Sequence, residues 1–250
     1  MRLTDKNRWR YKKDHATLNN LNRIRKREEW LQVVKKYVPS TELNYLELGC
    51  APGQYSAVLA EGTDWNISGI DYSDDSDIFL DTMSLVGKDA ELFHIDMFNE
   101  KINKAFDIVI SVGLVEHFRG EMLENVFRLH DSYLTNGGYL IIQIPNFTGF
   151  NYAWHYLFDR PDLDNHNIDV MQLQSLEWFA DKGYEIVFND YVGPLRVWGA
   201  SSWSHIRFMS KLVAGFGMVV SKLALMLDKI GLKLRGRTWS PGILLIAKKI

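Results

Sequence analysis

Residues 45–56, Tyr-Leu-Glu-Leu-Gly-Cys-Ala-Pro-Gly-Gln-Tyr-Ser, run from an apolar β-rich stretch into a helix through a bend built on Gly49, Ala51 and Gly53. Small residues let a ligand approach the backbone closely, and the first amides of the helix lack intrahelical acceptors and are directed at it. Taken alone, such a bend is also an ordinary tight turn. Three further stretches repeat the theme: Gly69-Ile70-Asp71-Tyr72, His94-Ile95-Asp96-Met97 and Ile110-Ser111-Val112-Gly113, the last leading into Glu116-His117. Each ends a β-rich run with a small or acidic residue, and ligands of open α/β sheets bind at that carboxyl edge. An acid after the second strand suits a ribose diol. It can also cap a helix, although Ser73 and Asp74 offer caps that leave Asp71 available.

These residues must be positioned by the elements around them. Strand-like runs occur at 45–48, 67–70, 91–95, 106–111, 139–144, 184–190 and 242–248, with helical periodicity at 16–38, 55–61, 76–85, 121–133 and 171–181. Alternating strands and helices predict a doubly wound, mostly parallel α/β sheet with helices on both faces. We expect one domain over 1–250: a basic N-terminal helical extension (1–40), a core (44–191 and 240–250) and a helical insertion (192–239) too long for an ordinary connection. Ser240-Pro241-Gly242 marks the turn into the last strand.

With 46% hydrophobic residues the chain can bury a proper core, and its net charge of -2 argues against a general nucleic-acid coat. The single cysteine, Cys50, excludes an internal disulfide framework and zinc ribbons. The basic residues near the start are followed by no apolar run, so a cytoplasmic location is expected.

Together the four strand-end motifs resemble the class I S-adenosylmethionine (SAM)-dependent methyltransferases, over residues 44–146 and more loosely through the last two strands. The resemblance implies a seven-stranded sheet whose last strand is antiparallel, and SAM as cofactor. It implies that Glu47, Gly49, Cys50, Ala51 and Gly53 surround the methionine moiety. Asp71 and Tyr72 would meet the ribose, Asp96 and Met97 the adenine, and Ser111 and Gly113 would complete the cofactor site. Ala51 replaces the middle glycine of the family's E-x-G-x-G-x-G loop, which narrows the turn without closing it. A dinucleotide is a poorer ligand, because Glu47 and Pro52 suit a dianionic pyrophosphate badly.

Methyl transfer from a sulfonium is an in-line displacement that depends on alignment and exclusion of water. A hydroxyl acceptor also needs a base. His117 is placed for this after the fourth strand, with Glu116 to orient it or bind substrate, and capping of the next helix is the alternative role for the pair. Some relatives hold a divalent metal with a Glu-x-x-Glu-His arrangement here; Gly113 stands at the first carboxylate position, so no metal is expected. Residues 151–169 carry His155, Asp159, Arg160, Asp162, Asp164 and His166 among four aromatics. That mixture suits a hydroxylated ring or sugar, and His155 or His166 are alternative bases. A solvated loop closing the sheet edge is the plainer reading.

Within 204–237, apolar residues recur at helical spacing beside Lys211, Lys222, Lys229, Lys233 and several arginines. Lys211 and Lys222 leave too short an uncharged run for a span, so the stretch reads as a helix, broken near Gly215 and Gly217, that lies on an anionic membrane surface. Packing on its own core or in a homodimer has equal standing. The leading expectation is O-methylation of a small molecule or glycan, with a lipid-linked surface-polysaccharide intermediate favoured if the membrane contact holds. An RNA methyltransferase, suggested by Trp9, Tyr11 and the 23–27 basic cluster, and a non-catalytic SAM-binding scaffold are the alternatives.

Overall fold

A computed structural model describes residues 16–200, 202 and 205–250. Trp9 and Tyr11, which with the 23–27 basic cluster suggest the RNA reading, lie outside the described residues. The chain begins with α1 (Leu18–Arg27) and α2 (Trp30–Tyr37), then alternates β1 (Asn44–Leu48), α3 (Gln54–Ala60), β2 (Asn66–Asp71), α4 (Ile78–Ser84), β3 (Ala90–His94) and β4 (Phe106–Val112). A 3-10 turn (Val115–His117) leads to α5 (Glu121–Tyr133) and β5 (Leu134–Pro145), followed by α6 (Gly149–Phe158), α7 (Arg160–Leu163), β6 (Tyr184–Val192), α8 (Arg207–Lys229) and β7 (Gly242–Lys249).

The seven strands are ordered β3-β2-β1-β4-β5-β7-β6, parallel except for β7, which runs antiparallel to both β5 and β6. Both faces are covered, so the central strands are apolar on each side. Leu46, Leu48, Val109, Leu140 and Ile142 join Val126 and Phe127 of α5 in one core layer. Tyr45, Ile108, Ile110 and Ile141 join Leu31 and Val34 of α2 and Ala57 of α3 in the other. Because β1 and β4 are neighbours whose onward connections leave in opposite directions, their carboxyl ends open the crevice where α/β ligands bind.

Three local readings change in the structure. The N-terminal helix is two helices broken at Glu28 and Glu29, whose carboxylates are held by Arg196 (2.6 Å) and Arg235 (2.8 Å) of the insertion. The helix expected at 171–181 is wound as 3-10 turns over Leu173–Lys182; at three residues per turn, Leu176 and Phe179 fall on one face and both are fully buried. Conversely, α8 runs unbroken through Gly215 and Gly217. A Cβ on Gly217 would stand 2.9 Å from the Trp154 ring, so the glycine lets α8 lie close against α6. That contact belongs to a small third core of Trp154, Leu195, Val197, Val213 and Ala224, separate from the sheet.

Candidate active site

The bend after β1 is tied to β2. The Gly49 amide donates to the Ile70 carbonyl at 2.8 Å, and the Ala51 amide donates to Asp71 Oδ2 at 3.1 Å. Gly49 and Gly53 have φ of +71° and +81°, left-handed values that favour glycine. A Cβ on Gly53 would also strike the Phe79 ring of α4 at 2.6 Å. Cys50 is buried, and its side chain packs on Gly69, where a Cβ would stand 2.5 Å from the sulfur. What Cys50 presents to the crevice is therefore backbone. The buried Asp71 also accepts from the Ser73 amide at 2.8 Å, and each oxygen keeps lone-pair capacity.

Glu47 is buried beneath this bend and accepts from Ser56, which is itself linked to the Tyr45 hydroxyl. Burial pushes the Glu47 carboxyl up to about 8; the Ser56 hydrogen bond opposes the shift and the nearby Asp71 adds to it. An acid held neutral by desolvation has a reason to ionise when a cation arrives. The residues fit SAM in this respect and in two others. Glycine backbone lines the bend, and the Ser73 and Ser76 hydroxyls, in the loop that follows Asp71, are buried without a hydrogen-bond partner among the described residues. Asp96 caps its own turn, accepting from the Phe98 amide and from Asn99 Nδ2, both at 3.1 Å, while Met97 is buried beside it.

At the end of β4, the Ser111 hydroxyl turns inward and donates to His130 Nε2 of α5 at 2.9 Å. His130 Nδ1 donates to the Val126 carbonyl, and burial pushes its pKa down to about 4, so the ring is neutral. Nothing in the local pattern announces this pair; a polar residue in an otherwise apolar central strand was the available signal. Ser111 thus turns its side chain to the core. Gly113 takes φ +67° and donates its amide to the Gln143 carbonyl at 2.9 Å, bending the chain so that Glu116 folds back toward it.

Glu116 and His117 are both buried, with His117 Nε2 4.0 Å from Glu116 Oε1. Burial raises the Glu116 carboxyl to about 8. The fold carries the segment after β5 over this pair. His166 lies 4.7 Å from His117, ring centre to ring centre, and Phe147 is sandwiched between His166 at 4.7 Å and His155 at 3.9 Å. His155 is fully buried, with Nδ1 3.4 Å from Asp159 Oδ2. Trp198, which sequence reading passed over, closes the group from the insertion, 5.3 Å from His155. Three histidines, one from the turn after β4 and two from the segment after β5, thus gather where the fourth strand ends.

An open sheet of this topology, with a glycine bend after β1 and acids closing β2 and β3, defines a class I SAM-dependent methyltransferase. Residues 21–188 match the family model described as "Methyltransferase domain", and the chain belongs to that family. No curated protein matches it in sequence. Solved structures share the fold. YJHP from E. coli is 15% identical with TM-score 0.53, covering 99% of this chain and 98% of that one. The N-methyltransferase NodS from Bradyrhizobium japonicum WM9, solved with S-adenosyl-L-homocysteine, is 12% identical with TM-score 0.54, covering 99% and 94%. Coclaurine N-methyltransferase, bound to N-methylheliamine and SAH, is 12% identical with TM-score 0.55, covering 96% and 76%. The chain is a SAM-dependent methyltransferase.

Proposed function

We propose that this enzyme O-methylates a hydroxylated acceptor, a glycan or similar small molecule presented on a lipid carrier, while resting on the inner face of an anionic membrane. The observation that carries this reading is the surface of α8. Phe208, Leu212, Phe216, Val219, Leu223, Met226 and Ile230 recur at helical spacing and are each more than half exposed. By length and composition the segment Phe208–Lys229 is apolar enough to cross a membrane. Two features favour lying on one instead: the opposite face, Val213, Gly217 and Ala224, is buried against the domain, and the exposed Lys211, Lys222 and Lys229 form a row along one border of the apolar stripe. An apolar face edged by lysines binds anionic lipid headgroups with the chains beneath. The helix packs on α6, which bears His155 and exposes Tyr152, Tyr156 and Leu157, so the apolar surface adjoins the acceptor segment.

At the site, Glu47 and the bend after β1 would hold the methionine end of SAM, Asp71 the ribose and Asp96 with Met97 the adenine. SAM supplies a methyl group on a positively charged sulfur. With SAM and an acceptor hydroxyl bound, the histidine and carboxylate groups gathered at Glu116, His117 and His155 would take up the hydroxyl proton as the oxygen is methylated. Burial of these groups keeps water from the reacting atoms.

The test is sedimentation with vesicles. Protein should pellet with phosphatidylglycerol-rich vesicles and far less with phosphatidylcholine, and Leu212→Asp/Leu223→Asp should stay in the supernatant. If pelleting is independent of lipid charge, or if the wild-type protein is instead a dimer that the double variant dissolves, the membrane reading fails. Labelled SAM offered with lipid-linked and free glycans, followed by NMR of the transferred methyl, reads the acceptor atom; an N-methyl product would refute the oxygen assignment.

A further inference from the structure

We infer that Arg196 is a positioning residue for methyl transfer, one that holds the acceptor wall at Trp198 in register with the cofactor bend after β1. Residues 195–198 alternate in burial as an extended chain does. Leu195 and Val197 are buried in the third core with α8, while Trp198 packs against the sheet core on the other side. The Val197 amide donates to Ser221 Oγ of α8 at 3.1 Å and the Leu195 amide to the Leu234 carbonyl at 3.0 Å, which pins the stretch to the insertion. Arg196 and Trp198 therefore reach the rest of the domain from a fixed base.

Arg196 meets the cofactor side through Glu28, at the break between α1 and α2. Its Nη1 and Nη2 donate to the two Glu28 carboxylate oxygens at 2.6 and 3.2 Å. A planar fork on a carboxylate fixes orientation as well as distance, which a point charge does not. The two helices pack on α3, Leu31 and Val34 sharing a core with Ala57 and Val58. The Trp30 ring lies 5.5 Å from that of Tyr55, in the first turn that the bend opens. Both members of the ion pair are felt there: burial pushes the Tyr55 hydroxyl up to about 12, with Glu28 adding to the shift and Arg196 opposing it.

The same guanidinium stands over the Trp198 ring, 5.8 Å from its centre, and Trp198 closes on His155 at 5.3 Å and on Phe147 at 5.8 Å. The rest of that wall is seated by its own segment, since the Asn167 amide donates to the Glu116 carbonyl at 2.7 Å and holds His166 over the turn after β4. Trp198 is the part contributed by the insertion, and Arg196 joins it to the cofactor side. The ion pair is largely shielded, with Glu28 14% and Arg196 30% exposed. Desolvation offsets most of the attraction in such a pair, whose best-attested use is to fix register. In-line methyl transfer is sensitive to register, because a displacement of about 1 Å can cost about 100-fold in rate. Filling the bend with SAM is then felt at Trp198 through Arg196. This role takes the acceptor to lie against His155, as proposed above, and depends on neither its hydroxyl nor its lipid carrier.

The experiment is fluorine NMR of the full chain labelled with fluorotryptophan and titrated with SAM, the Trp198 resonance being assigned by its loss in Trp198→Phe. In the wild type that resonance should move saturably as SAM binds. Arg196→Met/Glu28→Gln leaves no unpaired charge behind, so it should fold; calorimetry should still show SAM bound, while the Trp198 displacement is lost. Arg196→Lys keeps the charge without the fork and should lose most of the displacement as well. Arg235→Gln releases Glu29 and Asp228, loosening the same break through a different pair, and should keep the wild-type displacement. A Trp198 resonance indifferent to SAM in the wild type, an equal displacement in the double variant, or its loss in Arg235→Gln overturns the inference. So does a double variant that no longer folds by circular dichroism or no longer binds SAM, because the pair then belongs to the scaffold or to the cofactor site itself. None of these outcomes touches vesicle binding or the methylated atom, so the two proposals fail separately.

Discussion

Replacing Glu47 with glutamine tests whether the cofactor's positive charge is met by a buried acid. Burial holds the Glu47 carboxyl at about 8, so at pH 7 about one molecule in ten carries it ionised. With Glu47 at the methionine end as proposed, the sulfonium and ammonium of SAM would stabilise the carboxylate and lower its pKa on binding. The sign follows from linkage: a group whose pKa falls on binding releases protons, and affinity rises with pH up to the pKa of the free protein. From these ionised fractions, SAM affinity should increase about fivefold between pH 7 and 8 through this group, with release of up to about 0.9 proton at pH 7. Calorimetry in buffers of different ionisation heat measures that number directly. Glu47→Gln should bind SAM more weakly at pH 8 and lose this component, and because the amino group of SAM titrates identically in both proteins, the difference isolates Glu47. Equal proton release by the two proteins would refute the reasoning.

Asp71→Ala removes the carboxylate that joins the Ala51 and Ser73 amides; loss of charge-assisted hydrogen bonds of about 1.5 to 3 kcal/mol should weaken SAM binding roughly 10- to 100-fold, measured by calorimetry on folded protein. His130, held down to about 4 against an ordinary 6.5, is a depressed histidine, so its neutral form supports stability above pH 6.5. That support should drain away as pH falls from 6.5 to 4, by about 3 kcal/mol, and thermal melts across this range should show a flatter acid limb in His130→Gln. Gly69→Ala places a Cβ 2.5 to 2.6 Å from the Cys50 side chain, and overpacking of this kind should cost about 1 to 3 kcal/mol in denaturant melts and weaken SAM binding by displacing the bend. A wild-type midpoint in that variant would mean the bend tolerates movement.

Much of the proposed cofactor side is legible in sequence because its signals are local. A β-rich run followed by Gly49-Cys50-Ala51-Pro52-Gly53, and Asp71 and Asp96 at the ends of later runs, place each group by alternation and strand length alone. The acceptor side was only partly legible. His117, His155 and His166 were individually visible as candidates, but His166 lies 49 positions after His117, and no periodicity relates them.

Sequence by itself determined the alternating α/β architecture, the glycine bend and the row of acids, since these follow from steric preference and apolar periodicity within a few residues. Tertiary packing decided which way Ser111 faces, where the N-terminal helix breaks, that α8 continues through two glycines, and that Asn167 brings His166 onto Glu116. Each of those outcomes depends on a partner distant in the chain: His130 for Ser111, Arg196 and Arg235 for the break, Trp154 for Gly217, and the Glu116 carbonyl for the loop. Local propensities differ by about 1 kcal/mol or less for such choices, and one buried hydrogen bond or ring contact is enough to settle them.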